Sequence, residues 1–306
     1  MTQSYHPGEI AVQELAGERG QAILNGRVFS PVIPSAARRF VREQTCVAVG
    51  WLDASGAPWA SLAVGAPGFV GCDDDGATVT LQTLADTMTL GPSPDDLRRA
   101  PSLGLLVIDL ATRRRLRVNG SATGATGEAI HVGVEQAFAN CPKYIQRRER
   151  VEAAASDSPK AIVTGRGMPP DVATWLARTD TAFVTSVGPD GRLDCSHRGG
   201  APGFMRNAGD GVVIPDYPGN SMYCTLGNMQ LTPRAGIVLV DFDRRQQLHL
   251  TGEVSVTMQP AGAADAADTC PRRWTLRSQQ WVVSPLAGPE GWHLVDASPF
   301  NPRCAP

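Results

Sequence analysis

The pentapeptide Gly-Ala-Pro-Gly-Phe occurs twice, at 65–69 and at 200–204, an offset of 200 − 65 = 135. The same offset, without a gap, pairs Phe40 with Trp175, Val49 with Val184, Gly56 with Gly191 and Ser61 with Ser196. Further on, Gly104, Asp109, Leu116 and Gly120 pair with Gly236, Asp241, Leu248 and Gly252, now at 236 − 104 = 132. Matched turns and matched apolar runs in two halves indicate a duplicated domain. A period this long exceeds that of solenoid repeats and implies two domains side by side. The 306 residues are enough for both to bury a core of their own.

Each copy reads as strands in hairpin order. In the first, 46–52 is a strand, Asp53-Ala54-Ser55-Gly56 a turn and 59–64 the returning strand. Residues 78–83 form a third strand, 95–100 a short helix, and 103–109 with 116–123 a second hairpin. Ser35 caps a helix running to about Glu43. Short turns between strands argue for an antiparallel sheet or small barrel, not a parallel one. Residues 127–150 read as a helix with Val132, Val134, Ala137 and Phe138 inward, breaking near Asn140-Cys141-Pro142. The second copy repeats the order from Pro169 to about Met258, followed by an Ala/Gly-rich loop at 260–268 and a strand at 272–283. Four segments result: an N-terminal arm with a short helical stretch (1–34), the first barrel with its helix (35–155), a polar linker (156–168), and the second barrel with a Pro- and Gly-rich tail (169–306).

The copies differ in their chemistry. In the second, His197-Arg198-Gly199-Gly200 follows a strand, and Ile214-Pro215-Asp216-Tyr217-Pro218-Gly219-Asn220-Ser221 turns through Pro-Gly into two small polar residues. Glycines let backbone N–H groups approach a ligand, a guanidinium forks onto phosphate oxygens, and Asn and Ser add neutral hydrogen bonds. In isolation these are two ordinary turns with a solvated arginine. The repeat gives them contrast: Leu62-Ala63 stands opposite His197-Arg198, and Thr83-Leu84-Ala85-Asp86 opposite the Pro-Gly-Asn-Ser turn. Any phosphate site therefore lies in the second copy. The Arg113-Arg114-Arg115 run reads as a solvated hairpin tip.

A net charge of −2 gives no electrostatic footprint for nucleic acid. No apolar run has the length of a membrane span and no targeting segment is read. Seven scattered cysteines without a Cys-x-x-Cys pair suit reduced, mostly buried thiols and a cytoplasmic location. The five histidines show no metal-ligand spacing.

The order Arg198-Gly199, Pro202-Gly203-Phe204, Pro215-Asp216, Pro218-Gly219-Asn220, Leu226 with Asn228, Pro233-Arg234-Ala235-Gly236 and Leu250-Thr251-Gly252 resembles the pyridoxamine 5′-phosphate oxidase-like, FMN-binding split-barrel proteins. The segment Asn140-Cys141-Pro142-Lys143-Tyr144-Ile145-Gln146 also resembles one seen there. The resemblance spans roughly 35–258 and is specific in the second copy. It implies a mainly β protein with flanking helices (α+β): two tandem antiparallel split β-barrels forming a pseudo-dimer within one chain, with FMN in the cleft between them. It further implies that Arg198, Asn220 and Ser221 hold the FMN phosphate. His197, Gly199, Asp216, Tyr217 and Asn228 belong to the same cofactor-binding motif, with His197, Gly199 and Tyr217 along the ribityl chain and ring. Lys143, Tyr144 and Gln146 approach from the first half. Only one cation, Arg198, meets the dianion directly, with Arg234 or Lys143 as an assistant.

An FMN-dependent oxidoreductase acting on a small molecule is the first functional expectation, with a reductase or electron-transfer partner and a further dimer compatible with it. The flavin would carry the chemistry, which suits a chain without a catalytic triad or carboxylate pair. The alternative is a non-catalytic module that carries flavin or haem, with His197, His249 or His293 as axial ligand.

Overall fold

Two sheets with the same strand order account for the duplicated pattern. The computed structural model describes residues 5–82, 94–126, 129–152, 162–259, 272–288 and 290–302. An N-terminal arm carries α1 (Pro7–Leu15) and α2 (Arg19–Asn25). The first half then runs α3 (Ser35–Glu43), β1 (Cys46–Leu52), β2 (Pro58–Val64), β3 (Val70–Cys72), β4 (Thr78–Gln82), α4 (Pro94–Arg99), β5 (Ser102–Asp109), β6 (Arg114–Thr126), β7 (Ala129–Ala139) and β8 (Arg147–Glu152). The second runs β9 (Val163–Arg166), α5 (Val172–Arg178), β10 (Thr181–Val187), β11 (Leu193–Gly199), β12 (Arg206–Asn207), β13 (Val212–Pro215), α6 (Cys224–Leu231), β14 (Arg234–Asp241), β15 (Gln246–Met258), β16 (Arg272–Pro285) and β17 (Glu290–Asp296). The sheet orders β2-β1-β5-β6-β7-β4-β3 and β11-β10-β14-β15-β16-β13-β12 correspond strand for strand, and every described pairing is antiparallel. Residues 83–86 and 260–268, read above as the first half's turn and as a loop, lie outside the described residues.

The helix expected over 127–150 is not formed by its described residues, which make β7, a connection at 140–146 and the start of β8. Ile130 and Val132 alternate inward as a strand requires, but Ala137 and Phe138 are adjacent and both buried. The pairing of β6 with β7 shifts register at Asn119/Gly120 and Ala122/Gly124. A bulge inserts an extra residue and moves the inward phase, so a strand acquires the i, i+3, i+4 spacing of a helix. The second half carries the counterpart shift at Thr251/Gly252. Pro34, not Ser35, occupies the N-cap of α3. Val163–Arg166, in the stretch expected to link the halves, pairs with β16. The tail strand β17 returns to pair with β8.

The halves pack through β1, β2 and β5 against β10, β11 and β14, with small residues where backbones meet. Gly50 abuts Thr185, its own counterpart at 50 + 135 = 185; a Cβ on it would lie 2.9 Å from the Thr185 methyl. A Cβ on Gly104 would lie 2.7 Å from the Cys195 nitrogen, and one on Gly236 the same distance from the Trp59 Cα. Since Gly236 corresponds to Gly104, and Trp59 to Asp194 beside Cys195, these contacts are mates about a pseudo-twofold axis. An apolar cluster of Ala48, Ala60, Leu62, Leu106, Phe183, Val238 and Val240 fills the junction.

His249 sits in this junction fully buried, its Nδ1 2.8 Å from the Ala60 carbonyl and its Nε2 2.8 Å from the Ser284 hydroxyl. The carbonyl can only accept, so Nδ1 carries the proton and Nε2 accepts from Ser284. Burial pushes its pKa down to about 4. The unfolded chain, near 6.5, takes up the proton first as pH falls. The stabilisation is therefore complete above pH 6.5 and fades towards pH 4, by about 3 kcal/mol in all. Denaturant midpoints of the wild type and His249→Gln between pH 7.5 and 5 should converge as pH drops. Parallel curves would refute this.

Candidate functional site

One cleft collects chemistry from both halves. From the second half come Ser196, His197, Arg198 and Gly199 at the end of β11, then 215–221 after β13 and the first turn of α6. From the first half come Arg115 and Arg117 on β6 and Asn140, Cys141, Lys143 and Tyr144 after β7. Alternate residues of a strand share a face, which aligns Arg115 with Arg117 and Ser196 with Arg198.

Three guanidinium groups converge here. Arg117 is buried, stacked on the Phe138 ring at 5.2 Å, with Nη1 3.1 Å from Asp194 and Nη2 donating to Ser196. Arg198 meets Asp216 at 3.3 Å, and Asp216 also faces Arg272 at 3.5 Å. Arg115 donates to the Cys141 carbonyl at 2.9 Å and meets no carboxylate among the described residues. Burial, with Arg117 and Arg198 as like-charged neighbours, pulls the Arg115 pKa down to about 10. Burial lowers that of Arg198 too, against the pull of Asp216. Burial also raises the Asp216 carboxyl, against Arg198 and Arg272. Arg117 and Arg198 each meet a carboxylate and Arg115 does not, so one buried positive charge of the three is left to be balanced by an anion.

Four polar atoms lining this cleft are buried without a hydrogen-bond partner: Arg117 Nε, Arg198 Nε, His197 Nε2 and Asn140 Nδ2. His197 packs against the edge of Phe183. Burial and the neighbouring Arg115, Arg198 and Arg148 push its pKa well below the usual histidine value, so it is neutral. Tyr144 spans the mouth, its hydroxyl donating to the Pro218 carbonyl at 2.9 Å and its ring 5.2 Å from that of Tyr217. A Cβ on Gly199 would collide with the Tyr144 carbonyl, so glycine there lets the first half's segment close onto β11.

The donor set suits a phosphorylated cofactor such as FMN: guanidinium forks, neutral amide and hydroxyl groups at Asn220 and Ser221, and tyrosine rings alongside.

The structure brings His197, Arg198, Gly199, Asp216, Tyr217, Asn220, Ser221, Lys143 and Tyr144 to this cleft. It does not bring Gln146 or Asn228. Gln146 is buried behind the wall, its amide spent on the Tyr144 and Gly200 carbonyls, the Ser298 amide and Asn301. Asn228 lies on α6 in a separate polar cavity, held by Ser186, Asp194 and His6. Arg234 is also elsewhere, donating to the Gly56 carbonyl. The arginine run is not a solvated tip: Arg113 binds the Ile145 carbonyl and Asp296, and Arg115 enters the cleft. Sequence reasoning missed Arg115, Arg117, Ser196 and Thr225. The alternation Arg115-Leu116-Arg117-Val118-Asn119 was the available signal for the first two.

The corresponding place in the other pseudo-symmetric cleft has different chemistry among the described residues. Gln247 and His249 stand where Arg115 and Arg117 do, at 115 + 132 and 117 + 132. Gln247 accepts from the Leu62 amide at 2.8 Å, and Leu62 lies in the apolar junction. His249 has both ring nitrogens engaged and His293 is exposed on β17, so of the three histidines His197 alone offers a free nitrogen to the cleft.

A pyridoxamine 5′-phosphate oxidase family model matches residues 33–163 and again 168–281. No curated protein matches the chain. Similar solved structures include an F420 reductase, 16% identical, with 37% of this chain and 98% of that one covered and a TM-score of 0.28. The haem storage protein HutZ from Vibrio cholerae is 10% identical, with coverages of 40% and 97% and a TM-score of 0.29. A pyridoxamine 5′-phosphate oxidase-related, FMN-binding protein from Nostoc punctiforme is 12% identical, with coverages of 40% and 83% and a TM-score of 0.25. Among the described residues no helix is long and apolar enough to cross a membrane.

Proposed function

The chain belongs to the pyridoxamine 5′-phosphate oxidase family, and from that premise we propose that it binds one FMN in the Arg115–Arg117–Arg198 cleft and acts as a flavin-dependent oxidoreductase on a small molecule. The observation that carries this reading is the convergence of three arginines from both halves, two of them with a buried Nε that has no partner. Arg198 and the 220–221 turn hold the phosphate, and Arg115 adds countercharge from the other wall. Neutral His197 offers a hydrogen bond without adding to the positive charge. Tyr144 and Tyr217 pack beside the ligand and keep water from the mouth. FMN, when bound, supplies hydride or electron transfer, while the protein orients it and shapes the substrate slot.

Purified protein should show two flavin bands in the near-ultraviolet and blue, and acid should release FMN. Titration of the apoprotein should saturate at one FMN per chain, because the mate cleft has Gln247 and His249 in place of the arginines. Saturation at two would show that cleft to be open.

A second reading rests on His197, whose unpartnered, neutral nitrogen is suited to ligating haem iron. It predicts a Soret band that His197→Ala removes.

A further inference from the structure

The 220–223 turn is conformationally demanding. Ser221 and Tyr223 both adopt positive φ, at 61° and 58°. Neither is glycine, so each pays a steric cost that its surroundings must offset. Tyr223 is also the N-cap of α6 and gives no side-chain cap. Part of the offset is local, Asn220 Oδ1 accepting from the Met222 amide at 3.2 Å, and part comes from the N-terminal arm. Buried Gln13 of α1 donates from Nε2 to the Met222 carbonyl at 2.8 Å. Asn25, at the end of α2, donates from Nδ2 to the Asn220 carbonyl at 2.6 Å. Between these bonds the Met222 side chain is buried among Tyr5, Ala22 and Phe138.

We propose that the arm is a strap holding the 220–223 turn in its ligand-binding shape, with Gln13 and Asn25 as positioning residues. Carbonyl oxygens repel a phosphate; these two are pinned on the arm while Asn220 and Ser221 line the cleft. The arm reaches the cleft by a second route as well. Glu18 lies 3.6 Å from Arg272, which faces Asp216, the partner of Arg198. The family match begins only at residue 33, so the strap lies outside it. The inference rests on the cleft being a phosphate site, but its structural half does not.

The test uses the full chain, with Asn25→Ala, Gln13→Ala and Asn25→Asp, which keeps the shape but removes the donor. Leu24→Ala is the control, a half-exposed side chain on the same helix (53% exposed). Hydrogen exchange of the ligand-free protein should quicken about tenfold over 218–224 in the Asn25 variants, the scale of one lost hydrogen bond, and remain unchanged in β14 and β15. FMN affinity should fall about tenfold while riboflavin, lacking the phosphate, binds as before. Unchanged exchange over 218–224, or equal losses of FMN and riboflavin, would overturn the strap. Quickened exchange in a protein that binds no FMN would uphold the strap and remove the phosphate assignment.

Discussion

Gly236→Val should lower the melting temperature by roughly 10 °C or more. A valine Cβ at 236 would lie 2.7 Å from the Trp59 Cα and nearer still to the Pro58 carbonyl. Both obstacles are backbone, which cannot rotate aside as a flexible side chain does. Trp59 is fully buried and pairs with Trp51 across β1 and β2, so relief would require the two sheets to separate. Overpacking a tight core costs about 1–3 kcal/mol and more where the backbone must move. For a chain of this size each kcal/mol shifts the midpoint by roughly 2–4 °C. Pseudo-symmetry extends the expectation to Gly104→Val, whose Cβ would meet the Cys195 nitrogen at 2.7 Å. Gly71→Ala, on β3 with only the Thr80 Cβ at 3.9 Å, is the tolerant control. The cleft is built from both halves, so FMN binding should fall together with stability in the valine variants. Midpoints within about 2 °C of the parent would mean the halves do not meet as described.

Much of this architecture was legible in the sequence because duplication supplies an internal comparison. Turn residues at matched positions located the strands, and strands 46–52 and 272–283 lie where alternation and turn chemistry put them. The failure at β7 is instructive. A bulge is a property of two paired strands, so a one-dimensional pattern shows only its consequence, the slip from Ile130 and Val132 to Ala137 and Phe138. That slip resembles helical spacing.

The site was legible by halves. The second copy's residues announced themselves by local chemistry, glycine beside arginine and Pro-Gly before Asn-Ser. Arg115 and Arg117 did not, because what makes them site residues is the opposing strand β11, nearly eighty residues away. The same holds for Gln146 and Asn228: the motif named them, but the fold spends their amides on carbonyls and neighbouring side chains instead of the cleft. Gln13 and Asn25 carried no sequence signal, since a side chain that binds a distant carbonyl needs only reach and a donor.

The other large effect is expected at Arg198. Hydrogen bonds to charged groups contribute about 1.5–3 kcal/mol, so Arg198→Ala should weaken FMN binding on the order of 10–100-fold. No neighbour replaces it in kind. Arg117 is committed to Asp194 and Ser196, Arg115 approaches from the opposite half, and the Lys143 amine lies 5.7 Å from the Phe300 ring. Arg198 also balances Asp216, and its loss leaves that carboxylate more dependent on Arg272. Arg198→Ala combined with Asp216→Asn separates the two roles. The double variant should recover stability lost through the unbalanced carboxylate and still bind FMN weakly. Arg113→Ala is unsuitable as a control, because Arg113 ties the tail through Asp296; Arg39→Ala, exposed on α3 and paired with Glu43, serves instead. Isothermal titration of each apoprotein with FMN and with riboflavin decides the matter. Riboflavin should bind the parent and the Arg198 variant with similar weakness. Equal losses of FMN and riboflavin would place Arg198 against the ring or in the fold, and the phosphate would then belong to Arg115 and Arg117.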